Sequence, residues 1–284
     1  MGYLFTQLAR FSETAIMSMG AHLTIAVSGI FFLGTPVTFS LAAYAMVIAQ
    51  NFGLSLIVAL IISFSAVLVA SLIFVLAYLK LSADSFTVFT LASILAFDAA
   101  VKSWDSLTGG VLGIAGITRP AFVGTLVKLA LFQFCLAIIA FMVEQVILKT
   151  HLGRALQAMK ENEHLVESLG VSSRRVGSAA IIISSFMAAV AGIIAIWRLQ
   201  FLDPSFGGLM ILIEVVTIAI VAAKPKVRWL AFSTLVIVLL PEGLRFLSLP
   251  STMVAHLRNL FYALILLVMI KNISERLLAK KRFI

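Results

Sequence analysis

The sequence predicts an all-α, polytopic transmembrane bundle of about eight to nine membrane segments. Hydrophobic residues make up 62% of the 284-residue chain and charged residues 12%, with a mean hydropathy of +1.14. A soluble domain is about half apolar and about a quarter charged, so this much apolar surface needs lipid as its solvent. Residues 14–79 contain no Asp, Glu, Lys or Arg, a run far longer than the apolar part of a signal peptide. Its residues do not alternate as barrel strands do. Helices then remain as the way to satisfy every backbone N–H in hydrocarbon.

The segments follow in order. Residues 14–33 form a first span, broken by Gly34-Thr35-Pro36 because proline disfavours helix at the residue before it. Residues 37–50 are too few for an ordinary crossing, which takes about 20; they re-enter or cross. Residues 53–79 form a long span, and 86–103 another that carries Asp98. A glycine-rich loop occupies 105–120, and 121–147 span again with Lys128 and Glu144 near the two ends. The longest polar segment is 148–175. Spans at 176–197, 209–223, 229–248 and 255–271 complete one permease-like domain over residues 1–284. Small residues crowd 184–195, where Ser184, Ser185, Ala188, Ala189, Ala191, Gly192 and Ala195 allow close helix approach.

Net charge is +9. The Lys and Arg residues sit in short connections beside apolar spans, so this charge sets orientation and does not mark a nucleic-acid protein. Lys149, Arg154, Lys160, Arg174 and Arg175 lie in the 148–175 connection. Three more cations lie at 224–228, and five in the tail from Lys271. The positive-inside bias places these, and the C-terminus, in the cytoplasm. The N-terminus is cytoplasmic if 37–50 re-enter and external if they cross. The single cysteine, Cys135, has no intrachain disulfide partner, and the four histidines form no metal-binding cluster.

Asp98, Glu144, Glu214, Glu242 and Arg245 are charges inside spans, which are costly and face protein or water. Glu242 and Arg245 are spaced i,i+3 and read as a structural ion pair. Glu214, mid-span with no local partner, reads either as a group lining an interface or path, or as a neutral carboxyl hydrogen-bonded between helices. Asp98, Lys102 and Asp105 are spaced to share one face at a solvated helix end.

Residues 153–170 carry a partial apolar stripe of Ala155, Ala158, Met159, Val166 and Leu169, with Gly170 placed to stop a helix. Such an amphipathic helix lies on the lipid surface or docks into a groove on a partner. The stretch resembles the coupling helix of ABC importer permeases. Further segments resemble the branched-chain amino acid permeases of the LivM type. Gly29 to Gly34 and Phe39 to Tyr44 resemble that family's early glycine-rich motif. Lys80 to Leu91 resemble its RLxGDYLAxxTL, and Leu107 to Pro120 its LTGGxxGLxGIxxP. Residues 153–170 resemble its GRAxxAIRENExAAxALG, and Glu242 to Arg245 its late ExLR. The five matches keep the family's order over about residues 25–250. The chain departs at Val221 to Lys226, where the family has a Gly-Gly turn, at Val166 and Glu167 in place of paired alanines, and at Ala42 in place of a glycine.

The resemblance implies a permease subunit of an ABC importer in the bacterial cytoplasmic membrane. It would move a branched-chain or other amino acid, an amide or urea. It implies a second permease subunit, two ATP-binding cassette subunits and an external solute-binding protein as partners. It also implies Gly153, Arg154, Ala158, Lys160, Glu161, Asn162, Glu163, Leu169 and Gly170 as ATPase-coupling residues. In the matched motifs Gly34, Tyr44, Thr90, Thr108, Gly109 and Gly110 are candidates, with Glu214, for the translocation path. The sequence holds no G-x-x-x-x-G-K-[ST] phosphate loop, so ATP would be used by partner subunits and no cofactor by this chain. The alternative is an ion-gradient-coupled secondary transporter with Glu214 as carrier. An enzyme is not expected, since neither H-E-x-x-H nor G-x-S-x-G occurs.

Overall fold

The computed structural model describes residues 2–168, 170–222 and 226–245, and a few helical positions between 257 and 267. The final span at 255–271 and the basic tail thus fall largely outside the described residues. Within them lie helices α1 (Gly2–Ala21), α2 (Thr35–Asn51), α3 (Leu56–Lys80), α4 (Ala83–Ser103), the single turn α5 (Asp105–Thr108), and α6 (Leu126–Lys149). The short α7 (His151–Glu161) and α8 (Glu163–Ser168) follow, then α9 (Ser173–Leu199), α10 (Leu209–Ala222) and α11 (Val227–Arg245). This is an all-α polytopic membrane bundle. Among the described residues α3, α4, α6 and α9 are long and apolar enough to cross a bilayer, and α10 and the start of α11 are shorter apolar helices.

The first helix departs from expectation. It begins at Gly2 instead of residue 14, so Arg10 and Glu13 lie within it, and it continues through a π-helical turn, His22–Val27. The charge-free criterion missed this start because both charges are paired inside the bundle. Ala26 at the end of this helix meets Lys160, whereas Glu13 meets Arg198 at the last turn of α9. The start of α1 therefore lies on the face opposite α7 and α8. Helix α2 runs back between the faces. Its cap Gly34 touches Phe74 near the α3–α4 turn, and Tyr44 reaches Asp203 beyond α9. Residues 37–50 thus form one continuous helix that runs from the α7 face toward the opposite one.

Helix α9 sits between α1, α2 and α3, and most of its residues are buried. Its small residues are the cause. A Cβ on Gly192 would stand 2.0 Å from the Phe39 carbonyl oxygen, and one on Gly20 of α1 would stand 2.8 Å from that of Ser184. Without a hydrophobic driving force between helices in lipid, such close backbone approach supplies the packing. By contrast α3 turns Ile57, Ile61, Val69 and Leu72 outward, and α6 turns Ile139, Met142 and Val146 outward. These faces suit lipid or a neighbouring subunit.

The loop at 105–120 is more ordered than a glycine-rich connection suggests. Strand β1 (Ile114–Ala115) pairs antiparallel with β2 (Phe201–Leu202), joining Ile114 to Leu202. Asp105 starts its own turn after α4 has ended at Ser103, so it does not share a helix with Asp98 and Lys102, which form an i,i+4 bridge at 2.6 Å.

Candidate functional site

The segment expected to form one helix over 153–170 is two helices. Asn162 is extended (φ −160°, ψ 106°) and separates α7 from α8. Thr150 caps α7 through its hydroxyl, which accepts from the Gly153 N–H. Gly153 has no room for a side chain: its Cβ would lie 2.3 Å from the Ile147 carbonyl and 2.5 Å from the Leu148 Cα. That contact lets α7 fold straight back from α6. The chain turns after α8 at Gly170, whose φ of +80° favours glycine.

The apolar stripe is displaced from the expected one. Leu156, Met159 and Val166 are buried against Leu23, Val27, Phe74 and Val176, whereas Ala158 is exposed. Leu156, Met159 and Val166 are spaced three and seven apart, so they keep one helical face across Asn162, and that face is rotated by about one residue from the expected one. Lys160 Nζ donates to the Ala26 carbonyl at 2.5 Å, an acceptor left open at the end of a helix. Desolvation there holds its ammonium below the usual lysine range. In α8, Glu167 accepts from the Ser173 hydroxyl at 2.6 Å, joining α8 to α9. Arg154, Glu161, Asn162 and Glu163 are exposed on this face. Leu169 lies outside the described residues.

The expected path residues are not gathered at one cavity. Gly34 is pressed by the Phe32 and Phe74 rings, where a Cβ would lie 2.6 Å from the former. The Thr90 hydroxyl accepts from the Leu33 N–H at 3.3 Å. Both lie toward the α7 face. Tyr44 Oη donates to the Asp203 carbonyl at 3.4 Å. Thr108 Oγ1 lies 2.6 and 2.7 Å from the Val101 and Trp104 carbonyls and accepts from the Gly110 N–H. Gly109 and Gly110 both have positive φ, and a Cβ on Gly110 would collide with the Asp105 carboxylate. These four belong to the opposite face. Glu214 has a distant partner that spacing could not reveal, since its carboxylate lies 3.7 Å from Arg10 on α1. Glu242 and Arg245 both fall within α11, but their side chains are outside the described residues.

One buried network escaped sequence reasoning, while Glu144, expected as a charge within a span, is placed with a partner that spacing did not reveal. Glu13 binds Arg198 through both carboxylate oxygens at 2.8–3.0 Å, and Gln133 Nε2 donates both to Glu13 (3.1 Å) and to the Ile194 carbonyl (2.6 Å). Arg119 completes the end of α9 by donating to the carbonyls of Trp197 and Arg198. Glu144, expected near a span end, is fully buried and lies 2.6 Å from His22 Nδ1. The available signal was the presence of charged side chains in otherwise apolar stretches; their partners are 120 to 185 residues away.

Geometrically, α7 and α8 pack against the first helix, α6 and α9 on one side and expose polar residues on the other. Among the described residues no group of His, Cys, Asp and Glu could hold a metal ion.

Comparison with known proteins gives a consistent picture. A family described as "Branched-chain amino acid transport system / permease component" matches residues 3–271. The high-affinity branched-chain amino acid transport system permease protein LivM of Escherichia coli (strain K12) is 24% identical over 217 residues, covering 66% of this chain and 51% of that protein. The probable branched-chain amino acid transport permease protein LivM of Methanocaldococcus jannaschii is 30% identical over 175 residues, covering 59% of this chain and 50% of that protein. The chain spans about half the length of these curated relatives. No solved structure matches it.

Proposed function

The chain belongs to the permease-component family of branched-chain amino acid transport systems, and on that premise we propose that it is the membrane subunit of an ABC importer. It carries a small solute, a branched-chain or other amino acid, an amide or urea, into the cytoplasm. One domain would serve the purpose, with residues 148–175 as its cytoplasmic coupling loop and the C-terminus on that side. The N-terminus is then external.

The observation that carries the reading is the mounting of α7–α8. Its inner face is locked to the bundle by Leu156, Met159 and the Lys160–Ala26 bond, while Arg154, Glu161, Asn162 and Glu163 stay exposed. A short helix fixed on one side and polar on the other suits a partner's groove. A push on it would pass to the first helix through Lys160 and to α9 through Glu167. ATP is hydrolysed by two cassette subunits. A second permease completes the path, and a binding protein supplies solute from outside.

The test reverses charge on the exposed face. Arg154→Glu with Glu161→Arg should reduce co-purification of the ATPase subunits at least tenfold, with membrane insertion and thermal unfolding unchanged. Full retention of the ATPases rejects the coupling role. In ATP-loaded vesicles, uptake should survive a proton uncoupler; loss on uncoupling alone favours an ion-driven carrier.

A further inference from the structure

Lys149 ends α6, and Lys226 and Arg228 flank the start of α11. These three cations line one cavity of about 580 Å³ together with Gln145 and Gln157. Among the described residues no carboxylate lines it, and none of the three cations is within salt-bridge distance of one. The first turn of the 19-residue α11 adds its partial positive charge. Three cations and two amide side chains thus converge with no carboxylate among the described lining residues, a setting that suits an anion with several acceptor oxygens.

We propose that this cavity binds the phosphate of an anionic phospholipid headgroup. Its level selects lipid over soluble anions. Helix α6 has 24 residues, about 36 Å at 1.5 Å per residue, so its last residue, Lys149, stands where a hydrocarbon core about 30 Å thick gives way to headgroups. Gln145 and Lys149 share a helical face with Met142 and Val146, which are 61% and 62% exposed. That apolar strip descends from the cavity and would receive the acyl chains. Basic pockets between spans on the cytoplasmic side hold headgroups in this way. Gln157 belongs to α7 and donates to the Leu148 carbonyl at 3.5 Å. A bound headgroup therefore touches α6, α7 and α11 at once. The site goes beyond the transport reading and does not depend on which solute is carried.

The experiment uses the purified, delipidated full chain. Phosphatidylglycerol and phosphatidylcholine with identical acyl chains are titrated and bound lipid is counted by native mass spectrometry. Phosphatidylglycerol should bind about tenfold more tightly, a preference on the scale of cations near a membrane surface. Lys149→Gln, Lys226→Gln and Arg228→Gln together should erase it, whereas Arg174→Gln with Arg175→Gln should not. If the triple variant fails to fold, each single variant should lose about two- to threefold. Equal binding of the two lipids overturns the proposal, as does a preference that outlasts the substitutions. Displacement of phosphatidylglycerol by inorganic phosphate as efficiently as by the lipid itself also overturns it, by making this a soluble-anion site.

Discussion

His22 and Glu144, 122 residues apart in the chain, meet at 2.6 Å with both side chains sealed from solvent. His22 opens the π turn that ends the first helix, where Ser28 N–H bonds five residues back to the Leu23 carbonyl. One extra residue per turn locally rephases the helix. Removing one member of a buried pair strands the other and typically costs about 3–5 kcal/mol, whereas replacing both by apolar groups is often close to neutral. His22→Leu should therefore lower the unfolding midpoint in detergent sharply, and His22→Leu with Glu144→Leu should recover most of the loss. A double-mutant cycle with no coupling would exclude a direct interaction.

Glu13 and Arg198 should respond differently. Their bond is a two-pronged one through the guanidinium Nε and a terminal nitrogen, a geometry that an ammonium cannot reproduce. Arg198→Lys should thus destabilise nearly as much as Arg198→Gln, each by about 3 kcal/mol, a cost usual for breaking a buried pair. Full stability of the lysine variant in a thermal melt would show that only net charge matters there.

The close crossing of α2 and α9 gives a steric prediction. With the Phe39 carbonyl 2.0 Å from the place of a Cβ on Gly192, Gly192→Ala must push two backbones apart. Overpacking of this kind costs about 1–3 kcal/mol. Gly124→Ala, whose nearest neighbour would be 3.5 Å away, should be nearly neutral. Equal unfolding midpoints for the two variants would contradict the packing.

These positions explain how far the sequence was legible. The spans at 53–79, 121–147 and 176–197 reappear as α3, α6 and α9 within a few residues, because an apolar run of bilayer length has few other folds in lipid. The central place of α9 was legible from its small side chains. The start of α1 was not, because Arg10 and Glu13 read as the end of hydrophobicity until Glu214 and Arg198 supply counter-charges from remote helices. The break at Asn162 was equally hidden. An extended residue between two short helices leaves the composition of 153–170 unchanged, and the buried Leu156, Met159 and Val166 keep the seven-residue spacing of one continuous helix.

Lys160 supplies the last prediction. Its stem lies along Gly29, where a Cβ would stand 3.3 Å from the lysine Cγ, and its nitrogen closes on Ala26. Lys160→Met keeps the stem and removes the bond. ATPase subunits should still bind the exposed face, yet less of their motion should reach α1, so solute moved per ATP hydrolysed should fall severalfold. Lys160→Arg should restore much of the ratio. The pH dependence has a definite sign. Because desolvation lowers the Lys160 pKa in the folded protein from the ordinary 10.5, the unfolded chain binds more protons in the interval between the two values. The contribution of this group to stability therefore rises with pH across that interval. Lys160→Met should flatten the alkaline rise in unfolding midpoint. An unaltered transport-to-hydrolysis ratio in the methionine variant would mean that the helix end is held by packing alone.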